Sequence, residues 1–394
     1  MKSIKLFCVL CFLSINLWAA DFGVLLETTP GAGGNGSNGN FDFSMLLIPR
    51  LSVPVGTSGE VFVSAALKAD YENETWSAAP ELLRTEFSTR AGSLVFALGR
   101  VQYTDPLGFI ADGLFDGARL TYDTEQAGTF NLGAFYTGLL SKKRINITMT
   151  GEELDSFNSE IDYSDFAGSY FAPRRFIAAL GWQHPGLGEF IRAKAAIISQ
   201  SDLGDSRLHS QYLALNFAAP VNLFVFGLGG ALELIENDGD IGLGLAGELV
   251  VSCNLPTAAE DVLSLRGRFS SGTTEDGDIK AFLPVTTIYQ GEALKAKLSG
   301  LSILSLDYLA RVNKNFSASL ISSYFIRSDL ATYALYGDEG YFLGNEFFGR
   351  LIWSPVSDIQ LNLGGGIFLP SMGNASPKAD PVWRIDLNII LALY

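Results

Sequence analysis

The chain closes with WRIDLNIILALY, residues 383–394, in which Arg384, Asp386 and Asn388 stand at every second position among apolar neighbours. Successive side chains of a β-strand point to opposite faces, so Trp383, Ile385, Leu387, Ile389, Leu391 and Leu393 share one face and the polar three share the other. One face is oily and the other wet. The pattern recurs upstream. In EVFVSAALKADY (60–71), Val61, Val63, Ala65, Leu67, Ala69 and Tyr71 oppose Glu60, Ser64, Lys68 and Asp70. EFIRAKAAIIS (189–199) sets Ile191, Ala193, Ala195 and Ile197 against Arg192 and Lys194, and DVLSLRGRFSS (261–271) sets Leu263, Leu265 and Phe269 against Arg266 and Arg268.

Composition sharpens what this means. The 394 residues are 48% hydrophobic and 18% charged, with a mean hydropathy of +0.23, too apolar for an ordinary soluble surface. Yet the longest apolar candidates after the amino terminus, VNLFVFGLGGALELI (221–235) and IGLGLAGELVV (241–251), are broken by Asn222, Glu233 and Glu248, which excludes helical membrane spans. A transmembrane β-barrel resolves the conflict, because it spreads its apolar residues over alternate positions. MKSIKLFCVLCFLSINLWAA (1–20) carries Lys2 and Lys5, an apolar stretch and Ala19–Ala20, and reads as a secretory signal peptide. Leu10 is too large for a lipid-attachment site at Cys11. Loss of Lys2 and Lys5 takes the formal net charge from −15 to −17, which disfavours nucleic acid as a partner. Of three cysteines only Cys253 remains, so no intramolecular disulfide or cysteine metal site is available.

Eighteen strand-like segments follow: 21–29, 41–53, 60–71, 81–89, 93–103, 114–122, 129–140, 174–183, 189–200, 208–217, 221–235, 240–252, 261–271, 299–312, 316–327, 342–353, 358–369 and 382–394. Short joints such as HPGLG (184–188) and NKN (313–315) fall after even-numbered strands. Longer polar joints, among them PGAGGNGSNGN (30–40), 141–173, 272–298, 328–341 and 370–381, fall after odd ones. Outer-membrane barrels have an even strand number, short periplasmic turns and long outer loops, so the expected fold is an all-β antiparallel barrel of about 18 strands. Sixteen is the second choice, since 272–298 could carry hidden strand structure and 21–29 does not alternate cleanly. The domain expectation is a signal peptide over 1–20 and one outer-membrane barrel over 21–394, with long loops at 141–173 and 272–298.

Two resemblances follow from these residues. A terminal aromatic, Tyr394, resembles the insertion signal of outer-membrane barrels, although its parity is that of Arg384 and Asp386. GSLVFALGRVQYTDPLGFIADGLFDGARLTYD (92–123), with LGR at 98–100 and FDGARLTY at 115–122, is similar to a hairpin of large porins and of alginate-export barrels. That resemblance implies an 18-stranded channel with an arginine-rich lumen for anions, with Arg100 and Arg119 at the matching positions.

Charge on a lipid-facing strand position costs roughly 2 to 4 kcal/mol at mid-depth, so cations on strands are expected to face the lumen. The pore-lining candidates are Arg84, Arg100, Arg192, Lys194, Arg266, Arg268, Arg311, Arg327, Arg350 and Arg384, with Arg50 beside them. Competing with selectivity is a bland role, in which pairs such as Arg84 with Glu86 or Asp307 with Arg311 tie neighbouring strands. The longest joint, SKKRINITMTGEELDSFNSEIDYSDFAGSYFAP (141–173), opens with Lys142, Lys143 and Arg144 and continues with Glu152, Glu153 and Asp155. It is expected to constrict or lid the lumen, against the alternative of a mobile outer loop. TEDGD (274–278) and ENDGD (236–240) lack the full calcium-loop spacing, and GLGLAG (242–247) runs into a strand rather than a helix, so neither a metal nor a cofactor is expected. With only His184 and His209 available as imidazole bases, an enzyme is not expected.

The expectation is an outer-membrane porin of a Gram-negative-type bacterium, passing small hydrophilic solutes by diffusion and favouring anions. Its partners are outer-membrane lipids, a lipopolysaccharide-type surface and the barrel assembly machinery. The alternatives are a substrate-specific transporter for acidic polysaccharide or fatty acid, and a surface adhesin or structural barrel with a closed lumen.

Overall fold

The computed structural model describes residues 20–72, 74–188, 190–204, 207–274, 277–330 and 340–393; the signal segment up to residue 19, Glu275 and Asp276 of the TEDGD stretch, and Tyr394 lie outside them. Eighteen strands alternate up and down: β1 (Asp21–Asn35), β2 (Asn38–Val55), β3 (Gly59–Glu72), β4 (Thr75–Ala91), β5 (Leu94–Thr104), β6 (Asp112–Thr124), β7 (Gly128–Tyr136), β8 (Arg175–Leu187) and β9 (Ile191–Asp202), then β10 (Leu208–Val221), β11 (Phe224–Asn237), β12 (Asp240–Asn254), β13 (Val262–Ser270), β14 (Leu301–Asn313), β15 (Phe316–Arg327), β16 (Phe342–Val356), β17 (Ile359–Leu369) and β18 (Val382–Leu393). Each pairs antiparallel with its sequence neighbours, and β1 pairs with β18 from Val24↔Leu393 to Asn35↔Val382. The sheet therefore closes into a cylinder, which is the only way a sheet can sit in hydrocarbon without an open edge.

The alternation of the last strand does what its pattern dictates. Ile385 and Leu393 lie outside, exposed, with the rest of their face half-buried, in line with the exposed Leu232, Leu234, Leu249, Leu304 and Leu306 on other strands. Burying a side chain of this size is worth about 1.5 to 3 kcal/mol, so such a belt is at rest only against lipid. Inside, Asn388 donates to Glu27 Oε1 at 2.6 Å and to Thr29 at 2.9 Å, Asn362 donates to Asn388 at 3.0 Å, and Gln360 donates to Asn362 at 2.9 Å. This amide ladder runs across β1, β18 and β17 and stitches the closing seam from the wet side.

The joints correct part of the sequence reading. PGAGGNGSNGN is not a loop: β1 and β2 run to Asn35 and Asn38 and leave a two-residue turn, with Gly36 at φ +56°. Glycine here makes room, since a side chain at Gly31 would meet the Asp42 carboxylate and the Arg384 guanidinium at about 3 Å. The joints after β3 and β11 are equally tight, and the even joint 255–261 has seven residues. The parity of loop lengths thus holds for the four long joints, 137–174, 271–300, 328–341 and 370–381, and for the short turns after β2, β4, β6, β8, β10, β14 and β16, and fails after β1, β3, β11 and β12. The described residues of 271–300 form no strand, and the closed sheet of eighteen strands settles the count at eighteen rather than sixteen.

One seam departs from the rest of the wall. β4 and β5 pair only from Ala91↔Leu94 to Glu86↔Gly99, whereas β3 stays paired with β4 up to Glu72↔Thr75 and β5 with β6 up to Thr104↔Asp112. The split begins at Gly99, whose φ of +116° bends β5 away; a side chain there would lie 2.0 Å from the Thr85 carbonyl oxygen.

Candidate functional site

Three joints turn into the barrel and pack against its inner wall. The 105–111 turn is organised by Asp105, whose carboxylate accepts the backbone N–H of Leu107, Gly108, Ile110 and Ala111 at 2.8 to 3.0 Å. Burial pushes that carboxyl above its ordinary value while the four donors pull it back. Ile110 accepts from Thr286 N at 3.1 Å, and Asn146 and Thr287 exchange bonds at 2.8 and 2.9 Å. Phe109, Ile145, Ile147, Phe282 and Val285 then form one apolar cluster with inward residues of the wall such as Val101, Phe115, Phe135, Ile177 and Tyr212. The lumen side of β5 to β12 is filled by this cluster.

Buried carboxylates peg the incoming segments. The 137–174 segment carries short helices α1 (Lys142–Ile145), α2 (Gly151–Asn158) and α3 (Phe166–Tyr170). Glu153 at the start of α2 accepts from Met149 N and Thr150 N, completes a capping box with Thr150, and pairs with the fully buried Arg175 at 2.6 Å. Glu233 takes Leu283 N at 2.7 Å. Glu346 takes three consecutive donors, Glu292 N at 2.7 Å, Ala293 N at 3.1 Å and Leu294 N at 2.8 Å. A carboxylate is suited to this work because it is acceptor-only and can take several N–H groups at once.

A lumen cavity of about 390 Å³ lies between the 288–295 segment and the inner faces of β13 to β16. Its charged lining is interleaved. Arg266 and Asp307 lie on its wall, with Arg268, Lys295, Glu292 and Glu346 around them. Arg268 donates to Glu248 through Nε at 2.9 Å and to Gln290 at 2.7 Å, and lies over the Phe109 ring. Arg266 is 3.8 Å from the same Glu248 and has a side chain 45% exposed, the freer of the two. Arg350 pairs with Glu292 at 3.3 Å, and Arg384 pairs with Asp42 at 3.0 Å and with Asp386 at 3.7 Å. Arg84 faces the lumen beside Glu86 at 2.8 Å, as the sequence pairing predicted. Arg192 and Lys194 are exposed, share a strand face with the inward Ala196 and Ile198, and make no ion pair among the described residues.

Three candidates do not line the pore. Arg100 has the parity of the outward Phe96 and Leu98; it is buried because it stacks its donors on Asp116 at 2.8 Å and on the carbonyls of Leu82 and Leu139. Arg327 is 1% exposed at the loop end, bonded to Gly340 O at 2.7 Å. Arg311 lies at the opposite rim and pairs with Glu260 at 3.2 Å, not with Asp307. Arg119 donates to Gln102 O at 2.8 Å. Of the loop candidates, Lys142 is buried and donates to Ser159 at 2.8 Å, Lys143 lies over the Phe157 ring, and Arg144 reaches Glu81 of β4 at 3.0 Å. Glu152 and Asp155 are exposed, and Glu152 borders an outer cavity of about 610 Å³ with Arg174 and Asp202.

The same segment seals the β4–β5 split. Tyr163 accepts from Ala78 N and donates to Ala78 O, both at 3.0 Å, and Tyr170 donates to Pro80 O at 3.0 Å. Proline at 80 leaves no N–H to satisfy on that edge.

No family model matches the chain, and no curated protein matches it. Solved structures do. OccK2 (OpdF) of Pseudomonas aeruginosa, in complex with glucuronate, superposes with a TM-score of 0.64 at 11% identity over 96% of this chain and 99% of that one. The fold is that of a porin-type barrel. OpdK of Pseudomonas aeruginosa with vanillate gives 0.64 at 9% identity over 96% and 99%, and a BenF-like porin from Pseudomonas fluorescens Pf-5 gives 0.62 at 12% over 95% and 99%. At these identities the likeness carries the architecture, and the chemistry rests on this chain's own residues.

Proposed function

We propose that the chain is an outer-membrane channel through which small hydrophilic solutes diffuse, with a preference for anions. The carrying observation is the lumen cavity of about 390 Å³, whose mixed lining includes the cations Arg266, Arg268 and Lys295, inside a wall whose outer face is apolar. Glucuronate and vanillate, found with two of the similar barrels, are small carboxylates, a class that suits such a lining. In this reading residues 1–20 are the export signal, 21–394 form one domain, the barrel assembly machinery inserts it, and lipids with a lipopolysaccharide-type surface surround it. The 137–174 and 271–300 segments, Lys142 to Arg144 and Glu152 to Asp155 included, act as the constriction.

The test is single-channel recording of the purified, refolded protein in a planar bilayer, with reversal potentials under a salt gradient. The expected result is a steady open conductance with chloride favoured over potassium. A correctly folded barrel that stays closed would remove the channel reading and move the function to the outer cavity.

A further inference from the structure

Residues 290–296 form a finger. Its base is a two-way backbone bridge, Gln290 N to Ala296 O at 2.7 Å and Ala296 N to Gln290 O at 2.9 Å. Its middle hangs on Glu346 through the three consecutive N–H groups of Glu292, Ala293 and Leu294. Leu294 and Ala296 sink into an apolar cluster with Phe325, Leu343 and Phe368. Gly291 holds φ +77°, and a side chain there would meet Glu346 at 2.8 Å and Phe325 at 2.9 Å, so the turn is closed to other residues.

The one long cation of this finger stands at its far side. Lys295 is held at φ +50°, a left-handed conformation that a lysine does not adopt without support from its surroundings. Its side chain makes no hydrogen bond and no ion pair among the described residues. It belongs to the cavity lining, in the field of Arg384, Asp42, Asp386 and Glu292. Arg268, Arg350 and Arg384, by contrast, spend donors on Glu248, Glu292 and Asp42, and Arg266 stands 3.8 Å from Glu248, while Arg192 and Lys194 of β9 lie outside the lining of this cavity. An ion in contact with a carboxylate contributes less field to a passing solute than an ammonium whose carboxylate neighbours make no ion pair with it.

We infer that Lys295 is the selectivity-determining cation of the lumen, and that Glu346 is a positioning residue that acts through it by fixing the finger. This rests on the channel reading above and adds to it the residue that discriminates charge. Burial pushes the Lys295 ammonium below the ordinary lysine value, with the positive Arg384 adding to the shift and Asp42, Asp386 and Glu292 opposing it. Lys295 therefore loses its charge at lower pH than a free lysine.

The experiment compares chloride-over-potassium permeability ratios of the wild type, Lys295→Met, Lys295→Arg and Glu346→Gln in planar bilayers. Lys295→Met is expected to lower the ratio by about two-fold or more, and Lys295→Arg to keep it. Glu346→Gln loses a charged acceptor of three N–H groups, so its current is expected to flicker with an intermediate ratio. In the wild type the ratio falls as pH rises towards 10, and Lys295→Met and Lys295→Arg lack that limb. A Lys295→Cys variant on a Cys253→Ser background, treated from either side with a negatively charged thiol reagent, is expected to lose anion preference. Ratios unchanged in Lys295→Met and in the modified cysteine variant, on channels that conduct, would overturn the inference. Absence of conductance in the wild type would instead remove the channel reading.

Discussion

Two arginines two positions apart on β13 have opposite roles, although the sequence places them on one face with equal claims. Arg268 is enclosed by Glu248, Gln290 and the Phe109 ring, and Arg266 looks into the cavity. Removing Arg268 would strand the Glu248 carboxylate and the Gln290 amide, a loss of about 3 kcal/mol by analogy with broken buried pairs. Arg268→Ala is therefore expected to lower the midpoint of urea unfolding, while Arg266→Ala leaves the midpoint in place and shifts the reversal potential towards cations. Equal midpoints would show that the enclosure of Arg268 is energetically idle. Parity arguments speak only to which face a residue takes, and for Arg84, Arg266, Arg350 and Arg384 that face carries the carboxylates they meet. They failed at Arg100, where a charged group sits on the outer parity because the split in the wall supplies carbonyls to it. They had no purchase on Lys295, which belongs to an irregular segment whose shape comes from contacts with Glu346, 51 positions along the chain.

At the scale of elements, the strands were legible because each is a period-two pattern that needs no distant partner to be recognised. The first strand was the hard case. Its glycines read as a loop, and only the bulk of Trp383 and Arg384 passing across from β18 explains why small residues belong in that strand. The β4–β5 split has its own logic: a strand edge without a strand partner is capped by two tyrosine hydroxyls and a proline. A capped edge is worth about 1 kcal/mol per hydrogen bond, so Tyr163→Phe with Tyr170→Phe is expected to loosen the 137–174 segment without unfolding the wall. Limited proteolysis reads this directly: the double variant should be cut within 141–173 at a protease concentration that spares the wild type. An unchanged cleavage pattern would mean that the inner contacts of Asn146, Thr148 and Glu153 suffice to hold the segment.

The whole molecule is a filled cylinder more than a tube. Its sheet closes through eighteen strands, but apolar packing occupies the lumen side of β5 to β12, and the charged cavity lies against β13 to β16. Closure is the global test. Unboiled protein in mild detergent gel buffer should migrate faster than boiled protein, and a chain that stops after Pro381 should lose this difference because β18 is missing. Persistence of the difference in the shortened chain would mean that β17 can pair with β1.

The β1–β18 contact also carries a consequence in time. Thr28 meets Ile389 and Gly31 meets Asp386, so the first strand to be synthesised waits for the last before one of its edges is satisfied. Local hairpins can form as their halves appear, whereas this pairing needs almost the entire chain to be present. Throughout that interval β1 offers a glycine-rich, sparsely decorated edge to any other nascent strand, including a second copy of itself. The amide ladder from Gln360 to Glu27 then acts as the final check, since its hydrogen bonds exist only in the correct register of the ends.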